Sequence, residues 1–287
     1  MFRRVSFNVQ NTVLIILLSL ILTGCSGSFQ FSEATATATT PPTQTTTPTL
    51  TATPIPPTPT ATPTEFKISS PLQDVSKEEL SSPDIYKNSM KTPAPGVDDG
   101  HHGVDFAFYR WKSYIEMTGL PIFSVLDGKV AGVLYDRYPY GNALIIETRV
   151  DELPVDFVNS LDLPIPSKIP TPTTRMLCPD SGLSVDVNNP LSIYIVYAHM
   201  ENPPTYLVGD VIASGQRIGE VGNTGYSSNA HLHFETRIGP SDVVFKSMAH
   251  YLETATQEEM GTYCLWRISG LFQLFDPMKL FVNQKPN

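Results

Sequence analysis

The sequence is short of positive charge. Its 19 Lys and Arg stand against 28 Asp and Glu, a formal net charge of -9. Binding a phosphate backbone calls for a basic face. The balance therefore gives no sign of a nucleic-acid partner, and it makes an anionic polymer a poor electrostatic target. A spanning apolar run is lacking at the start of the chain. Val13 to Leu22 is apolar apart from Ser19, but it falls short of the ~20 residues a helix needs to cross a bilayer. Helical periodicity is not sustained anywhere in the core region from about residue 96, which argues against a helical core. Cysteine is scarce, with Cys25, Cys178 and Cys264 alone, and histidine numbers six. Scarcity makes the placement of both residue types informative.

The first 25 residues read as an export signal: Arg3 and Arg4, the apolar run, then Leu22-Thr23-Gly24-Cys25. This ending resembles the lipobox of bacterial lipoproteins. The resemblance implies cleavage before Cys25, a lipidated thiol, and a chain anchored to a membrane by lipid without spanning it. The expected location is the cell envelope, outside the cytoplasm. Residues 26–64 form a linker whose stretch 34–64 is Thr, Pro and Ala with an occasional Gln, Leu or Ile and no charge. Its prolines remove backbone donors and favour an extended chain, with a reach on the order of 90 Å. Residues 65–95 are a polar lead-in, with a capping-box pattern at Ser76-Lys77-Glu78-Glu79 that predicts a short helix to Leu80.

From Gly96 onward short β-rich runs alternate with turn signals, as in a mostly antiparallel all-β domain over 96–287, a sheet or sandwich core. Strands are expected at Val104–Phe108 and Asn142–Glu147. Ile122–Val125 and Lys129–Leu134 read as a hairpin about Asp127-Gly128. Further strands are expected at Ser192–His199 and His231–Arg237, and two more, Asp210–Ala213 and Arg217–Val221, flank a Ser-Gly turn. Two loop or helix insertions interrupt the series. Residues 151–190 are proline-rich, with Pro164, Pro166, Pro170 and Pro172, and hold Cys178; residues 240–271 hold Cys264, with a helix expected around Val244–Glu253. In an exported protein an even cysteine pair suggests one disulfide, which would tie the insertions together; two separate buried thiols are the other possibility.

Five of the six histidines fall in three clusters. His101 and Asp105 are four apart, with Gly103 between them to free the backbone. His199 ends a strand on which Ile193, Ile195 and Tyr197 are expected to share its face. His231 and His233 lie two apart, which puts both on one face of a strand. That pair reads either as two metal ligands or as one ligand beside an acid/base. Imidazole nitrogen and carboxylate oxygen both suit zinc.

Taken together, His101-x-x-x-Asp105, Tyr197-x-His199 and His231-x-His233 resemble the lysostaphin/LytM-type zinc metallopeptidases that cut bacterial peptidoglycan. Gly222-Asn223-Thr224-Gly225, Gly215-Gln216-Arg217-Ile218-Gly219 and Gly141-Asn142 fit the same pattern. The resemblance implies a duplicated-hybrid-motif-like all-β fold. It implies zinc held by His101, Asp105 and His233, with His199 and His231 as catalytic histidines, and peptidoglycan peptides as the partner. A non-catalytic wall-binding or hydrolase-activating lipoprotein on the same fold is one alternative. A zinc peptidase acting on proteins is another. Oligomeric state is not legible.

Overall fold

The structure, a computed structural model, describes residues 65–168 and 176–282. The expected signal 1–25 with Cys25, the linker 26–64, and Pro170 and Pro172 lie outside the described residues. None of the described helices is long and apolar enough to cross a membrane.

The described strands, in chain order, are β1 (Tyr86–Asn88), β2 (Val104–Phe106), β3 (Pro121–Phe123), β4 (Gly128–Arg137), β5 (Gly141–Arg149), β6 (Leu191–Met200), β7 (Val211–Ile212), β8 (Arg217–Glu220), β9 (Leu232–Pro240) and β10 (Gln273–Leu274). The helices are α1 (Val155–Ser160) and α2 (Gln257–Arg267). Eight strands form one sheet in the order β1-β2-β9-β6-β5-β4-β7, with β10 also on β9; β3 and β8 pair separately. Every strand pairing is antiparallel, so the fold is the mostly antiparallel β architecture that the turn spacing predicts.

The central strands are buried on both faces, so 143–146 of β5 and 193–198 of β6 read as unbroken apolar runs, whereas β9 also buries His233, Glu235 and Arg237. On one face Ile193, Ile195, Tyr197, Leu232 and Phe234 join Ile122 and Ile218 of the small sheet. The lead-in closes this layer, because Ile68, Leu72, Leu80 and Ile85 are buried in it. Removing such side chains from water is worth roughly 1.5–3 kcal/mol each. On the other face Tyr194, Val196 and Ala198 pack against Phe245 and Trp266 of the second insertion and Phe272 just after it. Those three rings lie 5.0 to 5.5 Å apart, within the favourable range for aromatic pairs.

Several local expectations give way to tertiary pairing. The hairpin about Asp127-Gly128 does not form: β4 pairs with β5 and β7, whereas β3 pairs with β8. Likewise β7 and β8, either side of the Ser-Gly turn, go to different sheets. Turn chemistry fixes a change of direction and leaves the partner open. The lead-in helix is a single 3-10 turn, Glu79–Ser81, although its capping box forms: Ser76 Oγ accepts from Glu79 N at 3.2 Å and Glu79 Oε2 accepts from Ser76 N at 2.8 Å.

In the second insertion the helix lies at Gln257–Arg267, and 244–253 is irregular. The start of α2 is fixed by its own capping box, Thr256 with Glu259, a stronger signal than the apolar residues upstream. Cys264 on α2 is bonded to Cys178, with Cα atoms 5.7 Å apart. Gly261 permits this close approach, since a Cβ there would stand 2.5 Å from Ser181 N.

Candidate metal centre

Three strands deliver the centre. Asp105 on β2 lies directly opposite His233 on β9, and Ala198 on β6 flanks His233 on the other side. His101 precedes β2, where it forms a β-bridge with Lys91. Gly103 allows β2 to close on β9, because a Cβ there would meet Phe234 O at 2.5 Å and the His233 ring at 3.0 Å.

His101 Nε2, Asp105 Oδ1 and His233 Nδ1 converge. They are separated by 3.1, 3.2 and 3.0 Å. Tetrahedral zinc with bonds of about 2.0–2.2 Å places its donors roughly 3.3 Å apart, so the set needs little movement to hold such an ion. The tautomers agree with that use. His101 Nδ1 lies 3.0 Å from Ser89 O, a carbonyl that can only accept, so the proton belongs on Nδ1 and the Nε2 lone pair faces the centre. Asn88 Nδ2 donates to Asp105 Oδ2 at 2.7 Å, leaving Oδ1 for the centre. His233 Nε2 lies 3.5 Å from Glu235 Oε2, and a proton there leaves Nδ1 as a ligand atom. Two lone pairs and a carboxylate oxygen pointing at one buried spot repel one another unless a cation lies between them. The described residues that could hold an ion together are these three.

Electrostatics point the same way. Burial pushes Asp105 up, but hydrogen bonds and charge from His101 and His233 hold it well below the usual carboxylate range. Burial pulls His233 down, yet Asp105 and Glu235 raise it to about 9. The centre thus attracts positive charge.

His199 and His231 stand beside the donors, with ring centroids 4.6 Å apart. His199 Nδ1 donates to Thr224 O at 2.7 Å and His231 Nδ1 to Asn229 O at 2.8 Å. Both rings therefore keep an Nε2 lone pair, and that of His231 lies 3.5 Å from Asp105 Oδ1. Burial lowers the His199 pKa to about 3, with His233 and His231 adding to the effect. Burial also lowers that of His231.

One correction concerns His199, which does not share the face of Ile193, Ile195 and Tyr197. A bulge in β6 opposite β5, with His199 at φ 61°, turns it to the other side. Met200 then takes the next place in the Tyr197 layer. Histidine is among the residues that tolerate the left-handed region.

Beneath His233 lies a buried network that motif reading does not single out. Glu235 is fully buried. It accepts from Arg237 Nε at 2.5 Å, Trp266 Nε1 at 2.9 Å and Tyr140 Oη at 2.8 Å. Arg237 also donates to His102 Nδ1 at 2.6 Å. Burial first, then Arg267 and Arg237, bring the His102 pKa down to about 2. Glu235 and Arg237 continue the every-second-residue series of His231 and His233 along β9, so strand alternation could have found them. Nothing in the sequence pointed to Trp266. A cleft of about 890 Å³ opens over the centre, lined by all five predicted site residues together with Tyr140 and Arg267.

An antiparallel β domain carrying an open-sided His-Asp-His cluster beside two further histidines defines the class: a β-fold protein with a candidate site for one metal ion. Residues 178–244, less than a quarter of the chain, match the profile described as Peptidase family M23. The matched stretch includes His199, His231 and His233 and stops short of His101 and Asp105. No curated protein matches the chain. Among solved structures it is similar to the catalytic domain of the prophage-encoded M23 protein EnpA of Enterococcus faecalis, at 20% identity over 56% of this chain and 84% of that one, TM-score 0.32. It is similar to the catalytic domain of lysostaphin from Staphylococcus simulans at 22% identity over 58% and 86%, TM-score 0.32. A zinc-containing peptidase from Vibrio cholerae is 22% identical over 60% of this chain and 36% of that one, TM-score 0.31.

Proposed function

We propose that the chain is a zinc-dependent metalloendopeptidase that hydrolyses peptide bonds of peptidoglycan stems or cross-bridges. The observation that carries the reading is the convergence of His101, Asp105 and His233, with the free Nε2 atoms of His199 and His231 on the open side. Three protein donors leave a coordination position free, as catalytic rather than structural zinc requires. Bound zinc supplies Lewis acidity to a carbonyl oxygen and to water.

The chain's own residues do the rest. His199 and His231, held neutral by burial, can each accept a proton at Nε2 and return it to the departing amine. Their Nδ1 hydrogen bonds fix ring direction, which leaves little reorganisation for the reaction. The cleft accommodates a short peptide across the centre. The wall-peptide substrate is supported by the motif resemblance to wall-cutting metallopeptidases. The leader and linker residues support a layout of signal 1–25, lipidated Cys25 and spacer 26–64, with the domain held at the outer face of a membrane.

The test uses the purified full chain. Bound zinc is measured, and the protein is incubated with purified peptidoglycan while released amino groups are counted, alongside His199→Ala and His233→Ala. One zinc per chain and amino-group release abolished in both variants are expected. Zinc without release would favour the wall-binding alternative, and cleavage of proteins but not peptidoglycan would move the substrate.

A further inference from the structure

We propose that Arg267 determines substrate specificity by holding a free carboxylate of the bound peptide. This rests on the peptidase reading and names the substrate chemistry of the same cleft. Arg267 is the last residue of α2, outside the stretch matched by the family profile, and lines the cleft together with the metal donors.

Two of its three guanidinium nitrogens are engaged by neighbouring side chains. Nε donates to Asp98 Oδ1 at 2.6 Å, and Nη1 donates to Tyr140 Oη at 3.2 Å. The Tyr263 ring lies 5.2 Å from its central carbon. Asp98 is itself held by the hydroxyls of Tyr251 and Tyr263, each at 2.9 Å. Nη2 makes no hydrogen bond among the described residues. The buried side-chain polar atoms without a partner there are Trp111 Nε1 and Glu147 Oε2, so Nη2 is open to the cleft. The side chain is 12% exposed.

A guanidinium held at Nε and Nη1, with Nη2 free, is pre-organised to give one charge-assisted hydrogen bond to a carboxylate oxygen. Lys87, also on the cleft, is a poorer candidate, because its Nζ donates to Pro83 O at 2.8 Å and lies exposed. Tyr140 links the anchor to the centre, since the hydroxyl that accepts from Arg267 donates to Glu235, the neighbour of His233. Arg267 and the metal donors line the same cleft, so one bound peptide can face both.

The experiment compares two synthetic peptidoglycan stem pentapeptides, one with free carboxylates and one with each carboxylate amidated. Binding to the zinc-loaded full chain is measured by calorimetry, and cleavage in parallel. Removing one charge-assisted hydrogen bond from a partly desolvated site should weaken binding by about 10- to 100-fold. Arg267→Gln should erase the difference between the twins, and Arg267→Lys should restore part of it. Equal binding of the twins by the unsubstituted protein, binding of neither, or a difference that survives in Arg267→Gln overturns the proposal. The twins on the unsubstituted chain decide it even where a variant folds poorly. An Arg267-dependent binding difference with no cleavage would uphold the anchor and sink the peptidase reading.

Discussion

Replacing Glu235 with Gln tests the buried network directly. The side chain keeps its size and loses its charge. Glu235 is fully buried and accepts from Arg237, Trp266 and Tyr140, with His233 Nε2 at 3.5 Å. Gln can retain one accepting oxygen, and the better choice faces Arg237 and Trp266, neither of which can reverse its donors. The new amide nitrogen then faces Tyr140 and His233. Tyr140 Oη, which already accepts from Arg267 Nη1 at 3.2 Å, loses the acceptor for its own proton. His233 can respond only by giving up the proton on Nε2, which moves it to Nδ1, the atom aimed at the metal.

Two losses follow. Arg237 keeps hydrogen bonds to Trp266 O and Phe272 O but loses its buried counter-charge, at a cost of about 3 kcal/mol. For a domain of this size that corresponds to a fall of roughly 6–12 °C in Tm. Zinc affinity should drop by about 10- to 100-fold, the usual effect of losing the partner that orients a ligating histidine. The assays are thermal unfolding in chelator and zinc competition against a chromophoric chelator. Zinc affinity within twofold of the original, with Tm changed by less than 2 °C, would refute the reasoning.

Three further outcomes follow from the same geometry. His233→Ala should lose zinc, whereas His231→Ala should keep it and lose peptidase activity; release of zinc by His231→Ala would show that the two roles are wrongly divided. His102 has its pKa lowered from 6.5 to about 2, so the unfolded chain takes up a proton below pH 6.5 that the folded chain refuses. Its contribution is full above pH 6.5 and falls with pH by about 1.4 kcal/mol per unit. His102→Asn should therefore flatten the Tm profile between pH 6.5 and 5, with His199 retaining part of the slope, and parallel profiles would count against it. Cys178 and Cys264 close a separation of 86 residues, worth at most about 4–5 kcal/mol in chain entropy. The double Cys→Ser variant should unfold at lower temperature, and an unchanged Tm would mean that packing alone holds α2 in place.

The site was more legible than the fold around it. His101 with Asp105, and His231 with His233, carry their own spacing, and strands turn spacing directly into shared faces. Strand positions were legible for the same reason. Partners were not, because Asp127-Gly128 encodes a reversal that β3 and β4 can make without meeting. The face of His199 was illegible, since a bulge depends on the register of β5 against β6 and leaves no mark in β6 alone. The helix expected around Val244–Glu253 forms instead at Gln257–Arg267, where Thr256-x-x-Glu259 supplies the start signal. The roles of Trp266 and Arg267 depend on how an insertion folds back over the sheet, which no local pattern records.

The bulge at His199 makes residue count at this point a matter of parity. Tyr197 serves the apolar layer and Met200 rejoins it, so β6 spends one residue more than β5 to bring an imidazole to the opposite side. Losing a single residue between 198 and 200 would restore strict alternation, so the strand could no longer supply both layers as it does. The exposed turns that join these strands can lengthen or shorten by one residue at little cost. Within this short stretch a change of one alters which side of the sheet the chemistry is on.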